Sequence, residues 1–249
     1  MLIGENTMPQ NKYEPIYRTI REEIETGKYH SGDYLPSENE FAARFGVTRN
    51  TVRRALSILT SEGFLLPQHG RGVQVLRQPH ESRSIFTIGG IESFAEAAER
   101  SKMESYTRLL SFMEITADEK ISMRTGFDIG EKLYYIERIR YLDRQAVIYD
   151  TNIFLRSETP GLTPSIAASS IYDYLEDTLG MTITTSRRRV AAERATEKDR
   201  ELLDLGSFDF ILTVCGQVFN SRGIMFEFTE SRHVPDKVCF VESAVRQKI

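Results

Sequence analysis

The sequence predicts an α+β protein built from two domains: an N-terminal winged helix-turn-helix domain and a C-terminal antiparallel α+β domain. Three amphipathic helical patterns follow one another in the first 62 residues, and two short strand patterns come directly after them. Strand and helix patterns then alternate irregularly, and short turns join most strands, which favours an antiparallel sheet over a doubly wound one. The length of 249 residues accommodates two ordinary domains.

The first helix is predicted from apolar residues at helical spacing, Tyr17, Ile20 and Ile24. Pro15 fits the first turn of a helix, and Gly27 fits its C-terminal end. The segment therefore reads as one amphipathic helix with a buried stripe.

The second helix begins with a capping-box pattern, Ser37 followed three residues later by Glu40. Phe41 and Phe45 supply its buried stripe, and Gly46 suits a left-handed C-terminal cap. Only three residues then separate this helix from the next one, which is the spacing of a helix-turn-helix.

The third helix is predicted over residues 49–62, with Thr48 as its N-cap. Its core-facing residues recur at helical spacing, and they are Val52, Ala55, Leu56 and Leu59. The opposite side carries Asn50, Arg54, Ser57 and Ser61, flanked by Arg53, with Arg49 in the first turn. A basic second helix after a three-residue turn is typical of DNA-reading helices.

The stretch EGFLLPQHGRGVQVL reads as two short strands around a tight HGRG turn, which would form a wing. Gly70 and Gly72 allow a close backbone approach, and Arg71 projects between them. An arginine at a wing tip suits the negative potential of a DNA minor groove. The order of capped helix, short turn, basic helix and wing predicts DNA binding.

Basic charge is concentrated in this region, although the whole chain carries a formal net charge of -4. Residues 1–77 contain ten Lys and Arg against nine Asp and Glu, whereas residues 78–249 contain 22 against 27. Between residues 44 and 77, six arginines accompany a single glutamate. Such a patch is either a solvated helix face or a surface that meets phosphates, and the surrounding motifs favour the second interpretation.

The remaining composition argues against several other classes of protein. No apolar run is long enough for a transmembrane helix, and the N-terminus lacks a secretory pattern, so we expect a cytoplasmic protein. Cys215 and Cys239 fit no metal spacing, and the four histidines show no ligand pairing, so we expect no metal and no cofactor. The predicted organisation is a flexible arm (1–10), a winged helix-turn-helix DNA-binding domain (11–76), a linker (77–85) and a second, α+β domain (86–249).

Two strands around a turn at residues 143–145 are predicted within KLYYIERIRYLDRQAVIYDTNIFL. Alternate strand residues share a face, so Arg138 and Arg140 lie together, and Asp150 is on the return strand. Two such arginines could clamp a phosphate through charge-assisted bonds, or they could be an exposed strand face. Ser93 and Ser170 each begin a predicted helix, where backbone N–H groups attract anions. For Ser93, the residues by themselves favour an ordinary capped helix.

The N-terminal motifs resemble the GntR family of bacterial transcription factors. The matching stretches are YRTIREEI, LPSE, FGVTRNTVRRAL, EGFL and HGRGVQV. The resemblance implies a homodimer on a palindromic operator. The candidate DNA contacts are Ser37, Glu38, Thr48, Arg49, Asn50, Thr51, Arg53, Arg54, His69, Gly70, Arg71 and Gly72. Many relatives carry Arg where this chain has Asn39, so one fewer strong contact is expected there.

Residues 87–245 look like the sensing domain of the HutC subfamily, which implies a chorismate-lyase-like fold. In its sugar-phosphate-binding members, an Arg-x-Arg strand and serines at helix starts hold the phosphate, and acidic residues bind hydroxyls. The positions carried over are Ser93, Phe94, Arg138, Arg140, Asp150, Ser170, Tyr172, Glu227 and His233. The stretches GGIESF and FEFTESRHVPDK are most similar to trehalose operon repressors, whose effector is trehalose 6-phosphate.

The main interpretation is therefore a repressor whose effector reorients the DNA-binding domains through the linker. Another phosphorylated sugar is the alternative effector. We expect a regulator and not an enzyme. The alternatives are a constitutive DNA-binding protein whose second domain only dimerises and, more remotely, a chorismate-lyase-like enzyme. Fold alone does not carry chemistry, and the sequence shows no nucleophile elbow, phosphate-binding glycine loop or metal-ligand cluster.

Overall fold

A computed structural model describes residues 13–76, 84–87 and 91–241 of the chain. These residues fall into two compact units. The predicted arm and nearly all of the predicted linker lie outside the described residues. No helix in the described ranges is long and apolar enough to cross a membrane.

The first unit contains three helices and a hairpin, as the sequence predicts. Its elements are α1 (Glu14–Glu25), α2 (Glu38–Phe45), α3 (Arg49–Ser61), β1 (Leu65–Gln68) and β2 (Gly72–Val75). The two strands pair in antiparallel register from Leu65 with Val75 to Gln68 with Gly72. This arrangement is a winged helix-turn-helix.

Local signals define the turn between α2 and α3. Ser37 and Glu40 form both bonds of a capping box, and Gly46 ends α2 at φ +64°, in the left-handed region. The Thr48 side chain accepts a hydrogen bond from the Thr51 backbone N–H and so starts α3. One hydrophobic core then holds the helices to the hairpin, and its largest fully buried members are Ile20, Phe41, Leu59 and Leu65.

The second unit is built on a six-stranded antiparallel sheet with strand order β4-β5-β6-β9-β8-β7. The strands are β4 (Ser105–Thr116), β5 (Lys132–Leu142), β6 (Gln145–Leu155), β7 (Ile183–Arg194), β8 (Phe210–Asn220) and β9 (Met225–His233). Two short strands, β3 (Ser84–Thr87) and β10 (Val238–Val241), pair separately. The predicted hairpin within residues 132–155 is present as β5 and β6.

Short helices cover parts of both faces of this sheet. They are α4 (Phe94–Arg100), α5 (Glu119–Thr125), α6 (Pro164–Ala167), α7 (Ile171–Asp173) and α8 (Glu197–Leu202). The face that we call the inner face packs against α6 and α7, where Ile171 meets Ile136 and Phe154. The outer face packs against α5 and the residues after α8, with Leu133 and Ile139 in its cores.

The turn between β5 and β6 and the helix after Ser170 differ in detail from the sequence-based prediction. Asp143 and Arg144 both have positive φ, 46° and 68°, which suits a two-residue hairpin turn of the primed type. The helix predicted to begin at Ser170 is a single α-helical turn that continues as a π-helical turn, Tyr174–Thr178. Such turns are rare and occur frequently at functional sites.

Candidate functional site

Glu38 brings together the main arginines of the first unit. Its carboxylate accepts hydrogen bonds from Arg49 Nε at 2.6 Å, and from Arg53 Nε and Nη2 at 2.9 and 2.8 Å. The bonds from Arg53 and then from Arg49 lower the pKa of Glu38 to about 2. Both arginine side chains nevertheless stay more than half exposed, at 59% and 56%. One carboxylate thus orders two guanidinium groups that remain accessible to a phosphate.

The other predicted contacts of α3 have more varied surroundings. The Arg54 guanidinium lies over the Tyr13 ring, 4.2 Å from its centroid, so this side chain is held toward the entry to α1. The hydroxyls of Thr48 and Thr51 are 2.8 Å apart, and Asn50 is exposed beside them. The structure therefore places Arg49, Arg53 and the threonines together at the start of the helix.

The wing tip is formed by the turn between β1 and β2. His69 and Arg71 are exposed there, and the Arg71 backbone N–H closes the turn on the Gln68 carbonyl at 3.0 Å. Gly70 and Gly72 have φ of +73° and +103°, which a residue with a side chain adopts only with strain. The two glycines are thus required by the turn itself.

Arg138 is the most buried cation of the inner face. Its Nη2 donates to Asn152 Oδ1 at 2.7 Å, and its Nη1 approaches the Ala167 carbonyl at 3.4 Å. Its Nε has no hydrogen-bond partner among the described residues. Burial, and then repulsion from Arg140, lowers its pKa to about 9, so it remains charged at pH 7. A buried guanidinium with an unused donor is suited to receive an anion.

Arg140 occupies the same face one pleat further along β5. Its Nε donates to Asp150 Oδ2 at 2.8 Å and its Nη1 to Thr107 Oγ1 at 2.6 Å, while its guanidinium lies 5.1 Å from the Phe94 ring centroid. Burial tends to raise the pKa of Asp150, but the charges of Arg140 and Arg138 lower it overall. Asp150 is therefore an ionised partner of Arg140, at the position predicted for a ligand hydroxyl.

Glu227 is the second buried carboxyl of the inner face. It accepts hydrogen bonds from the Tyr172 hydroxyl at 2.7 Å and from Asn152 Nδ2 at 3.0 Å. Burial raises the pKa of Glu227, and burial together with the nearby Glu227 raises the pKa of Tyr172. Asn152 also donates to Thr229 Oγ1 at 3.0 Å, and it thereby connects Glu227 to Arg138.

The remaining predicted effector residues border this network. His233 is buried, its ring packs edge-on against Phe240 at 5.2 Å, and burial lowers its pKa to about 4. Ser93 begins α4 with a complete capping box, and Ser170 accepts from the Asp173 N–H at 3.3 Å. Both hydroxyls thus serve as helix caps in the structure.

Several inner-face residues were absent from the sequence-based prediction. Asn152 shares the face of Asp150 by simple strand alternation, so the sequence contained a signal for it. Thr107, Thr229 and Arg188 come from strands distant in sequence, and only the register of the sheet brings them to this face. Among the described residues, no group of three or more His, Cys, Asp or Glu could hold a metal ion.

Comparison with known proteins identifies the family of this chain. The family model "Bacterial regulatory proteins, gntR family" matches residues 12–75, and the model "UTRA domain" matches residues 100–238. The chain belongs to the GntR family. It is 36% identical to the HTH-type transcriptional regulator TreR of Bacillus subtilis (strain 168) over 97% of this chain and all of that protein.

Other relatives of this GntR-family chain are also transcriptional regulators. It is 26% identical to the mannosyl-D-glycerate transport/metabolism system repressor MngR of Escherichia coli (strain K12), over 94% of this chain and 98% of that protein. The fold resembles that of the possible transcriptional regulator YydK of Bacillus subtilis, with a TM-score of 0.74 at 21% identity over 94% and 99% of the two chains.

The second unit has a solved relative of its own. The effector-binding domain of the Bacillus subtilis trehalose repressor (TreR) is 36% identical, with a TM-score of 0.52, over 57% of this chain and 99% of that domain. The protein is therefore a transcriptional regulator of the GntR/HutC type, with a DNA-binding helix-turn-helix and a UTRA domain.

Proposed function

We propose that this regulator is a homodimeric repressor that binds a palindromic operator in the bacterial cytoplasm and leaves it when a sugar phosphate binds. Trehalose 6-phosphate is the effector that we favour. The main support for this proposal is the buried inner-face network, in which two arginines adjoin two carboxyls, an amide and a phenol. The 36% identity to TreR, in both the whole chain and the effector domain, supports this choice.

The inner-face groups suit the two chemical parts of a sugar phosphate. Arg138 and Arg140 would bind the phosphate, because a buried guanidinium forms short charge-assisted bonds to phosphate oxygens. Ser93, Phe94, Ser170 and Tyr172 would surround the phosphate, and Asp150, Glu227 and His233 would bind sugar hydroxyls. Phosphate binding would compete with Asp150 for Arg140, since the two are already paired at 2.8 Å.

The first unit would bind the operator through the surface that Glu38 organises. Arg49 and Arg53 are held near the start of α3, where helix-turn-helix proteins contact base edges. DNA phosphates could replace Glu38 as their partner without any change in the fold of α3. Residues 11–76 would be the DNA-binding domain, residues 86–249 the effector and dimerisation domain, and residues 77–85 the linker.

Operator titration tests this function directly. Operator duplexes would be selected from a random-sequence library with the full chain, and the Kd would then be measured by fluorescence anisotropy with and without trehalose 6-phosphate. We expect the operator Kd to rise at least about tenfold with the effector, within the usual range of allosteric coupling. Trehalose without phosphate is the matched control and should have little effect.

Arg138→Gln separates the effector site from DNA binding. This variant should bind the operator with the affinity of the wild-type protein and should lose the response to the sugar phosphate. An operator Kd that trehalose 6-phosphate and a panel of other sugar phosphates all leave unchanged in the wild-type protein would refute the proposed regulation. A full response in Arg138→Gln would refute the assigned phosphate site.

A further inference from the structure

Strand β7 carries three consecutive arginines, Arg187, Arg188 and Arg189, and they do not share one face. Arg189 donates to Cys215 Sγ at 3.8 Å. In the sheet register Arg189 lies opposite Cys215, and Cys215 lies opposite Glu230, so all three are on the outer face. Arg187 points to the same side, because alternate strand residues share a face. Arg188 therefore lies on the inner face with the candidate effector residues.

The register of the sheet places Arg188 in one row with two of those residues. Arg188 pairs with Gly216, Gly216 with Thr229, and Thr229 with Asn152. The row thus runs from the edge strand β7 to the amide that connects Arg138 to Glu227. It crosses four of the six strands of the sheet.

Gly216 leaves space for the Arg188 side chain within this row. A Cβ at position 216 would stand 3.5 Å from Arg188 Cγ and 3.3 Å from Thr229 Cγ2. The aliphatic stem of Arg188 therefore lies against the bare backbone of β8, next to Thr229. Its Nε donates to Ser186 Oγ at 3.2 Å, and Ser186 stands in the row of Val218 and Glu227.

The surroundings of Arg188 are those of the effector network. Burial lowers its pKa, while Tyr172, Glu227 and Glu92 act in the opposite direction. Two of these three groups belong to the hydrogen-bonded network already described. Glu92 is held by Arg100 through two bonds of 2.7 Å, so it is a fixed charge just before α4.

Strand spacing indicates how large a ligand would have to be to reach Arg188. Neighbouring strands lie about 4.8 Å apart, so β5 with Arg138 and β9 with Glu227 are separated by about 10 Å. Strand β7 lies two strands beyond β9, at about 19 Å from β5. One sugar ring attached to a phosphate at Arg138 would extend to Asn152 and Glu227, and a second ring would continue toward Arg188.

We propose that Arg188 forms the far end of the effector site and binds hydroxyls of a second sugar ring. This proposal rests on the proposed function. Arg188 would then be a specificity-determining residue that selects a disaccharide phosphate over a monosaccharide phosphate. Its guanidinium offers several donors in a fixed plane, which suits the paired hydroxyls of a pyranose.

The test measures selectivity rather than affinity alone. Calorimetry on the full chain would give the Kd of trehalose 6-phosphate and of glucose 6-phosphate for the wild-type protein, for Arg188→Gln and for Arg187→Gln. Arg187→Gln is the matched control, since it removes the same charge from the same strand on the opposite face. Thermal denaturation without ligand would establish that each variant is folded.

We expect Arg188→Gln to raise the Kd of trehalose 6-phosphate by about 10- to 100-fold, which is the loss typical of a hydrogen bond to a charged group. Its affinity for glucose 6-phosphate should stay within about twofold, and Arg187→Gln should change neither Kd. Equal losses of affinity for both ligands would indicate a structural role and would overturn the proposal. An unchanged preference of Arg188→Gln for trehalose 6-phosphate over glucose 6-phosphate would overturn it too. A wild-type protein that binds no sugar phosphate would instead overturn the proposed function itself.

Discussion

Each unit contains arginines that pair with a carboxylate, but the pairs differ in how far they are exposed to solvent. Arg49 and Arg53 share Glu38 on an exposed surface, whereas Arg140 and Asp150 are both about nine-tenths buried. Exposed pairs contribute little to stability because water and salt screen them. A buried pair contributes mainly by preventing an isolated buried charge, so losing one partner is costly. Arginine therefore forms exposed pairs that can exchange partners in one unit and a buried, ordered pair in the other.

The largest expected effect comes from breaking the buried pair. Arg140→Met should lower the free energy of unfolding by about 3 to 5 kcal/mol at pH 7, because Asp150 would remain buried without its main cation. Urea denaturation measures this change. Arg156→Met, which breaks the exposed pair with Glu114, should cost about 1 kcal/mol or less.

A second substitution makes this comparison more specific. Arg140→Met combined with Asp150→Asn removes both charges, and it should recover a large part of the stability lost in the single variant. If the single buried variant costs no more than Arg156→Met, the distinction between the two kinds of pair is wrong.

An intermediate effect is expected from His233, whose pKa is lowered by burial from 6.5 to about 4. Between these two values the unfolded chain binds a proton that the folded chain does not, so stability is present above pH 6.5 and falls as the pH decreases toward 4. The full loss is about 3 kcal/mol at 1.36 kcal/mol per pH unit. Urea denaturation at a series of pH values measures it.

His233→Asn should flatten this part of the pH dependence. The matched control is His30→Asn, because the side chain of His30 is 79% exposed in the first unit. An unchanged slope in His233→Asn would show that other groups cause the acid sensitivity.

The smallest effect concerns the exposed arginines and is visible mainly in DNA binding. Arg53→Gln should leave the free energy of unfolding nearly unchanged, because the side chain is exposed. It should weaken operator binding and reduce the slope of log K against log salt by about one unit per protomer. Arg18→Gln, an exposed arginine of α1 paired with Glu14, is the charge-matched control. Equal slopes for the two variants would argue against a DNA contact at Arg53.

Much of the first unit could be predicted from the sequence because its signals are local. The capping box at Ser37, the left-handed Gly46 and the helical spacing of Val52 and Leu59 each act within one or two turns. The pairing of Glu38 with Arg49 and Arg53 was not predicted, because it joins residues 11 and 15 positions apart. That pairing depends on how α2 packs against α3.

The candidate effector site was predictable only where neighbouring residues define it. Strand alternation placed Arg138 and Arg140 on one face, and the turn predicted at residues 143–145 led into the return strand with Asp150. Thr229 and Arg188 lie 91 and 50 positions beyond Arg138 in sequence, and no local pattern relates them to it.

By itself, the sequence determined the helix-turn-helix, the wing and the antiparallel character of the second unit, since these follow from periodicity, caps and turns. Only the tertiary structure decided which arginines are buried, which carboxylates meet them and which distant strands contribute to the inner face. The physical reason is that burial and strand register result from the packing of the whole sheet. A guanidinium such as that of Arg188 is assigned its neighbours by that packing, and its two flanking arginines are turned to the opposite face.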